Sequence, residues 1–318
     1  MTEKSSPQSS SAPASSKNSA PSKLEQKPRS FGQLALRQFL QHRMAVVGLA
    51  ILLVILILVI FAPLFTQYSP TDMVLRDRFQ PPSASHWFGT DDLGRDMWTR
   101  VWYGGRISLS VGLLSMATAI AIGTLIGLVS GFFGGWSDAI LMRITEIFLS
   151  IPRLFVLIVL TTFLRKLDLP WARAGSFWPI ALVIGILAWM TVARLVRGDT
   201  MSLRQQEFVQ AAVMIGASHR RILFRHILPN VTSSIIVAAT LGLAGAIITE
   251  SGLSYLGFGV QLPTPTWGNM LSNTQNQMTT APWTAIFPGM MIFITVIAIN
   301  FIGDGLRDAL DPYRVERG

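Results

Sequence analysis

Residues 44–64 read MAVVGLAILLVILILVIFAPL, and this stretch decides the fold class because it is uncharged and almost wholly aliphatic. At about 1.5 Å per residue, a helix of roughly 20 such residues spans the hydrocarbon core of a bilayer. The rest of the chain agrees, since 50% of its 318 residues are hydrophobic and only 14% are charged. Average soluble domains carry about a quarter charged residues. The sequence therefore indicates a membrane protein.

Five more stretches of this kind follow, so we predict an all-α membrane protein with six transmembrane helices. The predicted spans are residues 44–64, 107–131, 141–164, 178–195, 231–249 and 285–303. The second of them is rich in Gly, Ala, Ser and Thr, which favours close packing against other helices.

The predicted spans divide the chain into four parts. Residues 1–30 are rich in Ser, Pro and Lys and contain no apolar run, which predicts a disordered cytoplasmic tail and no signal peptide. Residues 31–106 comprise an N-terminal segment, the first span and an outer segment. Residues 107–306 form the membrane core with the other five spans, and 307–318 form a cytoplasmic C-terminal tail. Residues 31–43 fit either an amphipathic helix on the inner membrane surface or a plain juxtamembrane stretch.

The basic residues predict the orientation, because cytoplasmic loops carry an excess of Lys and Arg. With the N-terminus inside, the inner segments hold 17 of the 26 Lys and Arg residues and the outer segments hold 8. The inner segments are 1–43, 131–146, 194–229 and 304–318. The outer segments are 66–106, 165–177 and 251–283. Both termini are therefore expected in the cytoplasm, and the net charge of +9 needs no nucleic-acid partner.

The loop between the fourth and fifth spans carries the first candidate site. Residues 207–230 read EFVQAAVMIGASHRRILFRHILPN. The pattern predicts a helix over 205–215, a turn at Gly216 and a second short helix capped by Ser218, with Pro229 at the start of the fifth span.

Two small residues of this loop are candidates for a docking surface. We expect Ala211 and Ala212 to form a small, flat, exposed patch, with Arg220, Arg221 and Arg225 nearby. The alternative is an interfacial loop whose arginines only enforce the membrane topology.

The loop resembles the EAA loop of binding-protein-dependent ABC importer permeases, where Glu-Ala-Ala, three residues, Gly and a later Leu-Pro form the coupling helix. Two positions depart from that pattern, since Gln210 replaces the Glu and His226 stands where Ile is usual. The resemblance implies that this loop contacts an ATPase. The implied coupling residues are Glu207, Gln210, Ala211, Ala212, Gly216, Leu228 and Pro229.

Three more motifs narrow the resemblance to the dipeptide/oligopeptide/nickel permease family, second-subunit type. They are HWFGTDDLGRD at 86–96, ESGLSYLGFG at 250–259 with PTWGNM at 265–270, and GDGLRDALDP at 303–312. The implied periplasmic motif residues are His86, Gly89, Thr90, Asp91, Gly94, Arg95 and Asp96. The implied residues of an outer gate are Glu250, Gly257, Gly259, Trp267 and Asn269.

Each of these motifs also has a purely structural interpretation. Residues 89–96 fit turns in which Asp91 or Asp92 caps the backbone and Arg95 pairs locally. Trp267 fits an interfacial anchor, and residues 304–308 fit a solvated last helical turn. At helical rise, Arg153 lies about 10 Å into the third span. It either snorkels, pairs with a structural partner or lines a pathway.

The residue inventory argues against several other classes of protein. The chain has no Cys, no G-x-x-x-x-G-K-[ST] loop and no His/Asp/Glu cluster with metal or acid–base spacing, so we expect no enzyme, metal or cofactor. A proton-coupled secondary carrier needs ionisable groups at mid-membrane, and five of the six spans lack them. Half-helix dipoles keep that alternative open. A channel would leave the basic loop unexplained.

The resemblance implies one of two membrane subunits of an ATP-driven importer in the bacterial cytoplasmic membrane, with the binding-protein-dependent (MetI-like) ABC permease fold. The implied partners are a second homologous permease subunit, two cytoplasmic ATPase subunits that hydrolyse ATP in trans, an extracytoplasmic substrate-binding protein and the bilayer. Di- or oligopeptides are the implied substrates. Nickel chelates, glutathione or another small solute are alternatives within the same class.

Overall fold

The computed structural model describes residues 31–167, 175–272 and 274–310, and these residues are almost entirely helical. The predicted tail at 1–30 and residues 311–318 of the predicted C-terminal tail lie outside the described residues. In chain order the α-helices are α1 (Phe31–Gln41), α2 (Arg43–Ile60), α3 (Ala62–Phe65), α4 (Met97–Phe133), α5 (Gly135–Ser150), α6 (Arg153–Lys166), α7 (Trp178–Ile186), α8 (Trp189–Arg204), α9 (Glu207–Met214), α10 (His219–Arg221), α11 (Leu228–Tyr255), α12 (Trp267–Met270) and α13 (Trp283–Leu310).

Five helical stretches of the described residues are long and apolar enough to cross a membrane. They are α2, α4, the continuous pair α7–α8, the run from α10 through α11, and α13. These stretches coincide with the predicted first, second, fourth, fifth and sixth spans. The all-α membrane fold is therefore confirmed.

The third predicted span is not one straight helix. It consists of α5 and α6, which meet at an angle of 90°. The break falls at Ile151, whose backbone is extended (φ −87°, ψ 131°), and at Pro152. A proline has no backbone N–H and disfavours the helical conformation in the residue before it, so the helix ends there. The chain has six spans only if this bent pair is counted as one.

Helix α4 begins at Met97, ten residues before the predicted start of the second span at 107. Asp96 caps it, because its Oδ2 accepts from the Thr99 backbone N–H at 2.8 Å. Two arginines in the first turns also have backbone partners. Arg100 donates to the Pro70 carbonyl at 2.9 Å and Arg106 to the Val59 carbonyl at 2.8 Å. Because the prediction began the span after Arg106, it placed the start of this helix ten residues too late.

The largest helix–helix interface joins α4 to α8. Gly123, Gly127 and Gly131 of α4 each face the α8 backbone, and a Cβ at any of them would lie 2.7 Å from a carbonyl oxygen of α8. Their spacing of four residues places them on one face of the helix. This confirms the close packing that the small residues of the second span predicted, and it makes α4 and α8 parallel neighbours.

The helices give the bundle two distinct ends. Residues 205–229 lie at the end where α4 and α8 terminate, and we call it the loop end. Residues 66–96 and 256–282 lie where α4 starts, and we call it the cap end. Helix α2 runs from the loop end to the cap end, because Ala45 meets Gly305 near the end of α13 and Val59 meets Gly105 near the start of α4.

The predicted amphipathic segment at 31–43 forms the helix α1. Its Phe39 is buried against Gly305 of α13, whereas Leu36 and Leu40 are exposed. The segment therefore has one face on the bundle and one apolar face turned outward.

Candidate functional site

The loop at 205–229 folds close to its predicted form. Helix α9 occupies Glu207–Met214, slightly shorter than the predicted helix at 205–215. Gly216 has a φ of +76°, a conformation that favours glycine. The Ser218 side chain caps α10 by accepting from the Arg221 backbone N–H at 3.4 Å. The helix, the turn and the cap were all predicted from the local sequence.

Helix α9 is attached to the bundle through one face. Val209 and Ala212 are buried in a cluster that includes Ile222 and Ile227, which follow in the chain, and Phe132 of α4. Residues three apart lie on the same side of a helix, so both contact the bundle. The expectation of an exposed Ala211–Ala212 patch is therefore wrong for Ala212, which is only 5% exposed.

Four exposed apolar side chains lie on α9 and the turn after it, beside the exposed Glu207 and Gln210. Met214 and Ile215 are 86% and 84% exposed, and Phe208 and Val213 are nearly half exposed. We call these four residues the knob. Sequence analysis missed it because it concentrated on the two alanines. The run of Val, Met and Ile immediately before a turn glycine was the available signal.

Contacts at both ends of α9 set its direction. Gln210, which stands where the family pattern has Glu, donates from Nε2 to the Arg204 carbonyl at 2.9 Å and so joins α9 to the end of α8. On the other side, residues Ile222–Ile227 form a π-helical segment that leads into α11. Leu228 and Pro229 start α11 itself, where the missing N–H of proline costs no helical hydrogen bond.

At the cap end, the motif at 86–96 is buried and internally paired. His86 Nδ1 lies 2.9 Å from Asp96 Oδ1, and Asp96 in turn caps α4. The hydroxyl of Thr90 donates to the Asp77 carbonyl, and the Thr90 carbonyl accepts from Trp283 of α13 at 3.0 Å. The motif thus joins the segment 66–96 to two membrane helices.

A single carboxylate organises the middle of that motif. Asp91 accepts from the Arg95 backbone N–H at 2.9 Å and from Arg95 Nε at 2.6 Å, and it lies 3.5 Å from Arg100 Nε. All three side chains are at least nine-tenths buried. Gly94 has a φ of +70° against the Val74 carbonyl, so no side chain fits there. The local pairing that the structural interpretation described is therefore present.

The candidate outer-gate residues also pack together. Glu250 is fully buried and accepts from Ser254 at 2.6 Å and from Ser108 of α4 at 3.3 Å. Trp267 is fully buried and donates from Nε1 to the Val101 carbonyl at 2.8 Å. Burial rules out Trp267 as an interfacial anchor.

The remaining gate residues shape the chain around this contact. Asn269 forms a capping box with Thr266 and also donates to the Val260 and Thr264 carbonyls at 3.1 and 2.9 Å. Gly257 has a φ of +83°, and Gly259 lies against Ser254. These residues fold the segment after α11 back onto α4.

A cavity of about 730 Å³ lies among α4, α6, α8, α11 and α13. Ser233 at the start of α11 and Arg307 at the end of α13 line it at the loop end, and Ser115 and Gly245 line it deeper in the bundle. Arg153, whose role the sequence left open, lies on its wall. Arg307 lines the cavity and is also exposed, so the interpretation of residues 304–308 as a solvated last turn still fits it.

Several apolar membrane-crossing helices around a cavity, with an exposed helical loop at one end, define a multi-pass membrane protein. The chain belongs to the family described as binding-protein-dependent transport system inner membrane component, which matches residues 123–315. Residues 30–82 match the N-terminal transmembrane domain of oligopeptide transport permease C. The chain is thus a membrane permease subunit of an ABC importer, and it is a multi-pass inner membrane protein.

Relatives match over most of the chain. The oligopeptide transport system permease protein OppC of Bacillus subtilis is 41% identical over 94% of this chain and 95% of its own. The dipeptide transport system permease protein DppC of Alkalihalophilus pseudofirmus is 43% identical over 87% and 88%. The Escherichia coli OppC is 42% identical over 91% and 94%.

A solved structure shares the fold. It is a chain of the MetNI methionine ABC transporter in inward-facing conformations, with a TM-score of 0.54 at 21% identity over 67% of this chain and 97% of that one. This likeness confirms the predicted permease fold.

Proposed function

We propose that this chain is one of two transmembrane subunits of an ATP-driven importer of di- or oligopeptides. The relatives named as oligopeptide and dipeptide permeases favour peptides over nickel chelates or glutathione. The proposed partners are a second permease subunit, two ATPase subunits and an external substrate-binding protein.

The observation that carries the proposal is the knob on α9. Four apolar side chains on α9 and its turn are exposed, while Val209 and Ala212 hold the helix to the bundle. Exposed apolar patches of this kind mark interaction sites. The exposed arginines Arg220 and Arg221 lie on the same loop. A groove on a cytoplasmic ATPase subunit is the proposed occupant.

This assignment sets the orientation of the bundle. The loop end faces the cytoplasm, which agrees with the excess of Lys and Arg in the inner segments. The start of α2 and the end of α13 lie at that end, so both termini are cytoplasmic. The cap end then faces the binding protein that delivers substrate.

The contacts of α9 also suggest how ATPase movement reaches the pathway. Gln210 ties α9 to the last turn of α8, and three glycines hold α8 against α4 without intervening side chains. Closely packed helices move together because their interfaces have few voids. Displacement of the knob is therefore passed to α8 and α4, which line the cavity.

The test replaces a knob residue without disturbing the fold. In a complex reconstituted with its ATPase subunits and binding protein, Met214→Gln should reduce ATP-driven peptide uptake by about tenfold, since exposed hot-spot side chains at interfaces contribute on this scale. Met73→Gln at the cap end is the matched control for co-purification of the ATPase subunits, because Met73 is also exposed but lies at the other end of the bundle. Uptake and co-purification of the ATPase subunits are both measured.

Two outcomes would contradict the proposal. If Met214→Gln shows normal uptake and normal co-purification, the ATPase does not bind at the knob. Peptide transport by the purified single chain in liposomes without ATP would instead favour the ion-coupled carrier.

A further inference from the structure

The cavity has an uneven charge. Among the described residues that line it, Arg153 and Arg307 are the charged ones, and none of these residues carries a carboxylate. The other lining groups are hydroxyls, small residues and aliphatic side chains. The volume of about 730 Å³ falls in the range of small-molecule sites, roughly 300–1,000 Å³. The cavity thus combines room for a solute with two positive charges.

These two arginines differ from three other arginines of the membrane helices. Arg197 pairs with both carboxylate oxygens of Asp138 at 2.5 and 2.6 Å. Arg106 donates to the Val59 carbonyl and Arg165 to the Gly259 carbonyl. Among the described residues, neither Arg153 nor Arg307 has an ion pair or a hydrogen bond. Both side chains are exposed, so their guanidinium groups are available to an anion.

The bend in the third span explains how Arg153 reaches the cavity. Pro152 ends the helical run, and the 90° turn lets Arg153 start α6 at the cavity wall. Arg307 reaches it from the last turn of α13. The two side chains therefore come from helices that are far apart in the sequence.

We propose that Arg153 and Arg307 bind the carboxylate of the transported solute while it occupies the cavity. This rests on the proposed peptide import, because a peptide carries a free C-terminal carboxylate. Guanidinium and carboxylate form short, charge-assisted and often bidentate hydrogen bonds. The site favours peptides with a free C-terminus over the same peptides capped as amides.

The experiment measures binding to the full complex in nanodiscs, without nucleotide and without binding protein. The probes are trialanine and trialanine amide. Wild type should bind trialanine about tenfold more tightly than the amide, as expected for a hydrogen-bonded charged group. Arg153→Gln and Arg307→Gln should each remove most of that preference. Arg143→Gln should keep it, since Arg143 pairs with Glu146 and does not line the cavity.

The ratio of the two dissociation constants in one preparation does not depend on the folded fraction. Arg153→Lys, which keeps the positive charge, should retain part of the preference even where the Gln variant assembles poorly. Three results would each contradict the proposed site. They are equal affinities of wild type for trialanine and its amide, no binding of either peptide, and an unchanged ratio of the two dissociation constants in both Gln variants.

ATP-driven uptake by the wild-type complex with its binding protein separates the two proposals. If the complex takes up peptide but binds trialanine and trialanine amide equally, only the proposed carboxylate site is wrong. An importer that takes up no peptide overturns the proposed function.

Discussion

The family motifs at the two ends of the bundle differ in how far their side chains are buried. At the cap end, Asp91, Arg95 and Arg100 are buried and bound to one another. At the loop end, Met214 and Ile215 lie almost fully exposed beside the motif alanines. A motif can therefore specify either a rigid internal connection or a surface for a partner. Burial, which the motif itself does not reveal, distinguishes the two.

The largest effect is expected where a charge network is buried. Asp91→Asn leaves Arg95 and Arg100 without their carboxylate and should lower the free energy of unfolding by about 3–5 kcal/mol. Denaturant titration of the purified chain measures this. The control is Asp92→Asn, since that side chain is 42% exposed and its change should cost about 1 kcal/mol or less. Equal effects of the two variants would contradict the assignment of a rigid cap end.

Next come two glycines with the same backbone conformation in different surroundings. Gly94 and Gly216 both have positive φ, at +70° and +76°. A Cβ at Gly94 would lie 1.9 Å from the Val74 carbonyl oxygen, whereas nothing lies within 4 Å of one at Gly216. Gly94→Ala should cost roughly 3 kcal/mol through strain and overpacking, and Gly216→Ala about 1–2 kcal/mol through strain alone. Thermal unfolding compares them, and a larger loss at Gly216 would reverse the comparison.

The smallest effect separates the two motif alanines. Ala212→Leu overpacks the cluster around Val209 and should cost about 1–3 kcal/mol. Ala211→Leu adds the same side chain to an exposed position and should change stability by about 0.5 kcal/mol or less. Hydrogen exchange of α9 reports the difference locally. Faster exchange in the Ala211 variant than in the Ala212 variant would show that α9 is attached through the other face.

Much of the fold was predictable because the signals are local. Charge-free runs located five spans, and Gly216 and Ser218 marked the turn and cap of the docking loop. The start of α4 at Met97 was missed, because Arg100 and Arg106 are accommodated by carbonyls of Pro70 and Val59. Those partners are distant in the sequence, so charge alone predicted a later start.

The position of the candidate site along the chain was predictable, but the exposure of its side chains was not. The helix, turn and cap of the loop at 205–229 lie where the local sequence predicted them, yet the exposed groups are Met214 and Ile215 rather than Ala212. Trp267 fits an interfacial anchor by residue type, but it donates to the Val101 carbonyl from full burial. Which face of a short helix or loop is covered depends on neighbours that the local sequence does not contain.

The sequence by itself determined that this is a helical membrane protein, because the hydropathy of each span is a local property. It also determined the family, because the motifs are contiguous. Only the tertiary structure decided that the cap motif is buried, that α9 exposes its knob and that Arg153 and Arg307 share one cavity. Each of these depends on how separate segments of the chain pack against one another, as at the three glycines between α4 and α8.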